Sequence, residues 1–242
     1  MHFNIKMIAL LALVSINSLS EAACREAVDH FDGRSTIRFE TEGDVRRQNG
    51  YLVLRVVKGD RHPAGGFIGD GASATMTQPI QYGRITARLR TAGTRGIVSA
   101  MFTMANDKDE VDLEWLGGSP KKLLSNFFYK GDLIYTNSRE HNINVDSSKQ
   151  FVNYTLDWKP DQIRHMTVGL EHIDTPVVLP KSSSRCTHLV MLSSVWDGGD
   201  SDEDGTSEWA GGRVNWEDRR INDDGRLDMK IDFLEIGCYP GL

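Results

Sequence analysis

Cysteine is scarce in this chain of 242 residues: there are three, at positions 24, 186 and 238, and no CxxC pair occurs. The seven histidines are scattered with no HxxxH spacing, so the ligand patterns of a zinc site are missing and no metal is expected. An excess of positive charge is missing too. Lys+Arg total 28 against Asp+Glu 34, a net charge of -6, which lacks the basic footprint of a nucleic-acid partner. There is no GxSxG elbow, no phosphate loop and no dinucleotide fingerprint, so no nucleotide cofactor is expected. Internal repeats, linker composition and convincing helical spacing are absent as well. Low hydrophobicity is not among the deficits: 39% of residues are hydrophobic, enough for a large core and against intrinsic disorder.

Apolar runs long enough to span a bilayer are also lacking. The one marked run, Met7 to Ile16 after Lys6, falls short of the roughly 20 residues a membrane helix needs. Ser20-Glu21-Ala22 follows with small residues at the two positions a signal peptidase inspects, and Cys24 lacks the upstream Leu of a lipoprotein signal. Residues 1–22 are therefore expected to be a secretory signal peptide, leaving one domain over 23–242. The stretch Cys238-Tyr239-Pro240-Gly241-Leu242 carries no apolar tail, so no membrane partner is expected and the product is expected outside the cell or in its wall, as a monomer. Export permits disulfides, and three cysteines allow three pairings. The ends of a compact domain often lie close, which favours Cys24 with Cys238 without excluding the pairings of Cys186.

What is abundant is two-residue alternation. Ile85, Ala87 and Leu89 alternate with Arg84, Thr86, Arg88 and Arg90; Val152, Tyr154, Leu156 and Trp158 alternate with Asn153, Thr155 and Asp157. Half-buried strands have this pattern. Further strands are expected at Thr36 to Glu40, Tyr51 to Val57, Ile97 to Met104, Gln162 to Leu170, His188 to Val195 and Leu227 to Ile236. With no helices to cross between parallel neighbours, the expected fold is all-β, with antiparallel sheets packed as a sandwich or jelly roll. Two polar segments, Lys58 to Gln78 and Asp197 to Asn222, read as long loops. The second carries Trp209 and Trp216 and is expected to line a binding site.

The run Asp109-Glu110-Val111-Asp112-Leu113-Glu114-Trp115 concentrates chemistry. On a strand, Glu110, Asp112 and Glu114 share one face, where like charges cannot all ionise freely and at least one pKa must rise. The competing reading is a solvent-facing acidic edge that guards a sheet against aggregation. Four residues of strand rise roughly 13 Å. Two Glu side chains leaning toward each other from that distance can approach the roughly 5 to 5.5 Å that a retaining glycosidase needs. One would attack the anomeric carbon while the other, held protonated, protonates the leaving oxygen. Asp112, between them, would hydrogen-bond the nucleophile.

ExDxE followed by Trp115 and Gly117-Gly118 resembles glycoside hydrolase family 16. Three further segments resemble its fungal Crh-type branch: Gly93-Thr94-Arg95-Gly96-Ile97-Val98-Ser99, Asn126-Phe127-Phe128-Tyr129-Lys130-Gly131 and Gly205-Thr206-Ser207-Glu208-Trp209-Ala210-Gly211-Gly212. The resemblance spans roughly Phe39 to Cys238. It implies a β-jelly roll of two antiparallel sheets with a concave substrate cleft, in which Glu110 is nucleophile, Asp112 the assisting acid and Glu114 the acid/base. It implies a transglycosylase moving a chitin-derived donor to β-glucan or chitin, with Asn126, Tyr129, Lys130, Trp196, Glu208 and Trp209 binding sugar. Leu113 alone separates Asp112 from Glu114, with no extra residue as in the bulged ExDxxE version, so the strand is expected to be regular, as in the Crh, xyloglucan and lichenan branches. The chain departs from the branch in lacking a Ser/Thr-rich stalk or chitin-binding module, in Phe127 where Tyr is usual, and in Asp197 where a small residue is common.

Among the aromatics, Tyr129, Trp196, Trp209 and Trp216 are the candidates for stacking on sugar faces, whereas the alternation assigns Trp115 and Trp158 to the core. Asp200 to Gly205 opens like a calcium-binding loop, but Gly211 stands where the bidentate Glu belongs, so a solvated acidic loop is the expectation. Asn153-Tyr154-Thr155 is a glycosylation sequon on the outward side of its strand. An endo-β-1,3(4)-glucanase using the same acids, or a lectin-like jelly roll without catalysis, are the alternatives.

Overall fold

A computed structural model describes residues 24–105, 108–132, 134–159, 162–168, 175–178, 189–201 and 205–239. The expected leader (1–22), Cys186 and the acidic positions 202–204 lie outside the described residues. The strands are β1 (Ala27–Asp29), β2 (Phe39–Glu42), β3 (Asp44–Gln48), β4 (Tyr51–Arg61), β5 (Phe67–Asp70), β6 (Ala72–Met76), β7 (Gly83–Arg90) and β8 (Ile97–Ala105). There follow β9 (Glu110–Leu116), β10 (Lys122–Phe128), β11 (Arg139–Asn142), β12 (Val152–Lys159), β13 (Gln162–Val168), β14 (Thr175–Val178), β15 (Leu189–Asp197) and β16 (Arg226–Gly237).

They form two antiparallel sheets, as the alternation predicts. The first runs β14-β13-β12-β7-β16-β4-β3, with β1 added to β16 and β5 to β4; the second runs β11-β10-β9-β8-β15-β6-β2. Alternate residues of both sheets meet in one core. Ile85, Ala87 and Leu89 of β7 and Tyr154, Leu156 and Trp158 of β12 face Val111, Leu113 and Trp115 of β9 and Met191 and Val195 of β15. Trp115 meets Tyr154 edge-on at 4.6 Å between ring centroids, and Tyr82 packs on Trp158 at 4.8 Å. Trp115 and Trp158 are thus core residues, and Asn153 lies on the outward face of β12.

Cys24 and Cys238 are bonded across Cα atoms 5.6 Å apart, joining the segment before β1 to the segment after β16. No helix among the described residues is long and apolar enough to cross a membrane.

Several expectations need correction. The segment Lys58 to Gln78 is not a loop: β4 continues to Arg61, the chain turns at 62–66, and β5 and β6 follow. Alternation does exist in β6, where Ala72, Ala74 and Met76 are buried, but residues this small conceal it. The strand expected at Thr36 to Glu40 is displaced to Phe39–Glu42. The segment Asp197 to Asn222 is not wholly irregular. It holds a 3-10 turn, Gly198–Asp200, and a helix α1, Thr206–Ala210, too short to display a helical period. Trp216 does not reach any open face. Its ring is buried, its indole N–H donates to the Phe67 carbonyl at 2.9 Å, and it occupies space left by Gly69, where a Cβ would stand 3.0 Å from that ring.

Candidate active site

Strand β9 is paired on both sides without a register shift. Against β8, Glu110 lies opposite Met104, Asp112 opposite Phe102 and Glu114 opposite Ala100. Against β10, the same acids lie opposite Phe128, Asn126 and Leu124. Directly paired residues share a face, and successive side chains alternate. Val111, Leu113 and Trp115 enter the core, so the three acids stand on the open face of the second sheet among apolar and amide neighbours. The regular strand expected from the uninterrupted motif is present.

These neighbours set the electrostatics. No Lys or Arg forms an ion pair with the three carboxyls among the described residues. Burial pushes Glu110 up, while a hydrogen bond from Asp112 favours its ionised form. Asp112 is raised well above the usual carboxylate range by burial, then by the charges of Glu110 and Glu114, and by its hydrogen bond to Glu110. Glu114 is pushed up to about 7, first by burial and then by Glu110's charge. One row of acids therefore holds three protonation tendencies. Glu110 is the readiest to ionise, Asp112 keeps a proton directed at it, and Glu114 can give or take a proton near neutrality.

The two ends of the row differ. At the Glu114 end, Leu116 pairs with Val98 and Val98 with Trp196, bringing Trp196 onto the same face. Trp196 stacks on Trp209 with centroids 6.4 Å apart, and Trp209 is 37% exposed on α1. This arrangement is fixed by two of the quoted segments locking together. Gly96 N–H donates to Ala210 O at 3.0 Å, Gly199 N–H to Gly96 O at 2.9 Å, Ser207 Oγ to Gly199 O at 2.6 Å, and Arg95 Nε to Gly211 O. Gly211 has φ +100° and its Cβ position lies 2.8 Å from Arg95 Cγ, so only glycine fits there without strain. Glu208 is exposed on the same short helix.

At the Glu110 end, β10 leads into Tyr129 and Lys130. Lys130 N–H donates to Asp109 Oδ1 at 2.8 Å, and its ammonium lies 5.1 Å from the Tyr129 ring centroid. Asn126 is buried beside Asp112, with Oδ1 turned to its neighbour's Phe127 N–H.

The predicted residues thus fall into a central group (Glu110, Asp112, Glu114, Asn126) flanked by Tyr129 with Lys130 on one side and Trp196, Trp209 and Glu208 on the other. Trp216 is the one aromatic candidate that does not join them. Sequence reading missed Phe102 and Met104, half-buried on the open face beside the acids. It also missed the work of Asp197, which accepts Gly69 N–H at 3.0 Å and is pushed up to about 6 by burial, against that hydrogen bond and with Asp200's charge. A registered map of β8 onto β9 would have found the first two.

Comparison with known proteins gives this geometry relatives. The model of glycosyl hydrolases family 16 matches residues 34–217. The chain is 38% identical over 154 residues to Congo red hypersensitive protein 1 of Saccharomyces cerevisiae, covering 62% of this chain and 29% of that protein. It is 31% identical over 177 residues to probable glycosidase CRR1 of the same yeast, covering 70% of this chain and 42% of that one. The chain therefore spans less than half the length of these relatives. Among solved structures, the apo Crh5 transglycosylase superposes with a TM-score of 0.72 at 24% identity, over 88% of this chain and 84% of that one. A prokaryotic β-1,3-1,4-glucanase (lichenase) from a mouse hindgut metagenome superposes at 0.67 and 20% identity, over 88% and 99%. These likenesses give the fold as a jelly roll of two antiparallel sheets.

Proposed function

From the premise that this chain belongs to glycosyl hydrolase family 16, we propose that it is an exported retaining enzyme of β-linked wall polysaccharide. Its chemistry is transfer from a chitin-derived donor to a β-glucan or chitin acceptor. The observation that carries this reading is the row of three acids on one open strand face, set among apolar and amide neighbours with no ion pair to Lys or Arg among the described residues; burial there raises all three carboxyls.

Glu110, ionised and hydrogen-bonded by Asp112, attacks the anomeric carbon. Glu114 delivers its proton to the departing glycosidic oxygen, so the bond to the leaving sugar breaks as the glycosyl ester on Glu110 forms. Glu114, now ionised, takes a proton from an incoming hydroxyl, whose oxygen displaces Glu110 and restores the starting charges. Asp112's proton offsets charge on Glu110 in both steps. Trp196 and Trp209, beyond Glu114, offer apolar faces to the leaving and incoming sugars, which supports transfer to a sugar over transfer to water. Two relatives' names point the same way, a probable glycosidase and a transglycosylase.

The test is product analysis by mass spectrometry after incubation with a chitin oligomer and a labelled glucan oligosaccharide together. Labelled hybrid products at early times are expected. Reducing ends alone, at high acceptor concentration, would assign the glucanase chemistry instead, and no products with intact sugar binding would assign a lectin.

A further inference from the structure

Large apolar side chains left open to solvent among the described residues are few: Val28, Ile134, Tyr135 and Trp209. Trp209 belongs to the aromatic pair beyond Glu114. Tyr135 is the most open of the four, at 61% exposure, and Ile134 beside it is 49% exposed. Scattered exposed hydrophobes need no explanation, but these two occupy a particular place. Tyr135 packs near-perpendicular to Phe128, at 81° with centroids 5.9 Å apart. Phe128 is buried on the open face directly opposite Glu110.

The exposed ring stands on a pinned segment. Tyr135–Asn137 is a 3-10 turn in which Asn137 N–H donates to Ile134 O at 3.2 Å and Ser138 N–H to Tyr135 O at 3.1 Å. Asn137 Nδ2 donates to the Phe127 carbonyl at 3.2 Å, fastening the turn to β10. Arg139 donates to the carbonyls of Thr136 and Ser138 at 3.0 and 2.9 Å. A ring held open by this many backbone contacts is already ordered before any ligand arrives, so stacking on it costs little entropy.

Tyr135 and the Trp196–Trp209 pair lie diagonally across the acids. From Phe128 on β10 to Trp196 on β15 the path crosses three strand spacings of about 4.8 Å and six residues of about 3.4 Å, roughly 25 Å in all. An oligosaccharide touching both ends passes between Glu110 and Glu114, with Glu110 one strand spacing from Phe128 and Glu114 four residues further toward the Trp196 end. The sugar that becomes bonded to Glu110 and the residues behind it then lie on the Tyr135 side.

We propose that Tyr135, flanked by Ile134, is a remote donor platform that stacks on a sugar ring distant from the cleaved bond and sets the minimum length of donor. The inference rests on the reading of Glu110 as nucleophile and Glu114 as acid, because that order decides which side is the donor's. Tyr135 is a specificity residue here, and its ring face does the work while its hydroxyl does not.

The experiment compares Tyr135→Ala, Tyr135→Phe and wild type on chitin and β-1,3-glucan oligomers of two to six sugars. For the productive donor, Tyr135→Ala should raise KM about tenfold for the hexamer with kcat little changed, and should leave the shortest cleaved oligomer and the acceptor KM unaffected. Tyr135→Phe should match wild type. Equal losses on short and long donors would overturn the platform in favour of packing on Phe128, and no loss at all would overturn it outright. Calorimetric binding of the same hexamers reads the platform without turnover. If wild type cleaves nothing, the proposed activity fails, yet weaker hexamer binding by Tyr135→Ala still supports the platform and equal binding sinks it.

Discussion

The two sheets have outward faces that carry acids at alternate positions, and they treat those acids oppositely. On the first sheet three acids of the central strands, Asp157, Asp228 and Asp232, each meet a base. Arg84 stands directly opposite Asp157 and Arg55 directly opposite Asp228, with contacts of 3.3 and 2.7 Å. Arg88 bonds Asp232, and Lys230 lies 3.5 Å from Asp228. On the second sheet the positions opposite Glu110, Asp112 and Glu114 hold Met104, Phe102, Ala100, Phe128, Asn126 and Leu124. The same strand alternation gives a charge-paired surface in one case and acids driven toward their neutral forms in the other. What separates them is the residue one strand away, which acts through desolvation and the lack of a counter-charge.

The comparison breaks most visibly at the acids themselves. Glu110→Gln and Glu114→Gln should each lower kcat by about a thousandfold, in the range expected when a reacting carboxyl is removed, with circular dichroism unchanged. Activity within a fewfold of wild type for either variant would sink the assignment.

Moving a base from one kind of face to the other should come next. Phe102→Arg places a guanidinium opposite Asp112, so all three acids should ionise more readily. As the acid proposed above, Glu114 would have to be protonated to act, so the alkaline limb of the wild-type pH profile should lie near pH 7. In Phe102→Arg that limb should move down by about one unit, with about a fivefold loss at pH 7. An unmoved limb would mean that Glu114 is not the group reported by it.

Stability should register the same asymmetry. Glu114's folded pKa is raised from 4.5 to about 7, so folding favours its protonated form. Its contribution is full below pH 4.5 and is lost as pH rises toward 7, by up to about 3 kcal/mol. Glu114→Gln should therefore show a higher Tm than wild type at pH 8 and little difference at pH 4. The smallest effect belongs to the paired face. Arg88→Ala removes a partly exposed ion pair and should cost no more than about 1 kcal/mol, leaving kcat within twofold in the same assay.

Legibility followed the size of the alternating residues. Strand β9 could be read because Val111, Leu113 and Trp115 contrast sharply with the acids between them, and β16 because Leu227, Met229 and Ile231 do so over many residues. Strands β5 and β6 were hidden because Gly69, Ala72 and Ala74 bury little area each, while the neighbours that make them strands lie far along the chain. Trp216 looked open because its partner Phe67 is 149 residues away. Tyr135 gave no signal at all, since a tyrosine in a polar segment acquires meaning only when the turn seats it on Phe128. The central acids needed one strand; the cleft's ends needed the register of four.

The bond between Cys24 and Cys238 closes a ring that runs through 214 positions of chain, so both sheets and every loop between them lie within a single covalent circuit. A protease that cuts once in an exposed turn, such as 62–66, would open the circuit without releasing a fragment. The nicked molecule would migrate as one species until reductant is added, and its two pieces, β1–β4 and β5–β16, would stay at the high effective concentration of a tethered pair, poised to re-close.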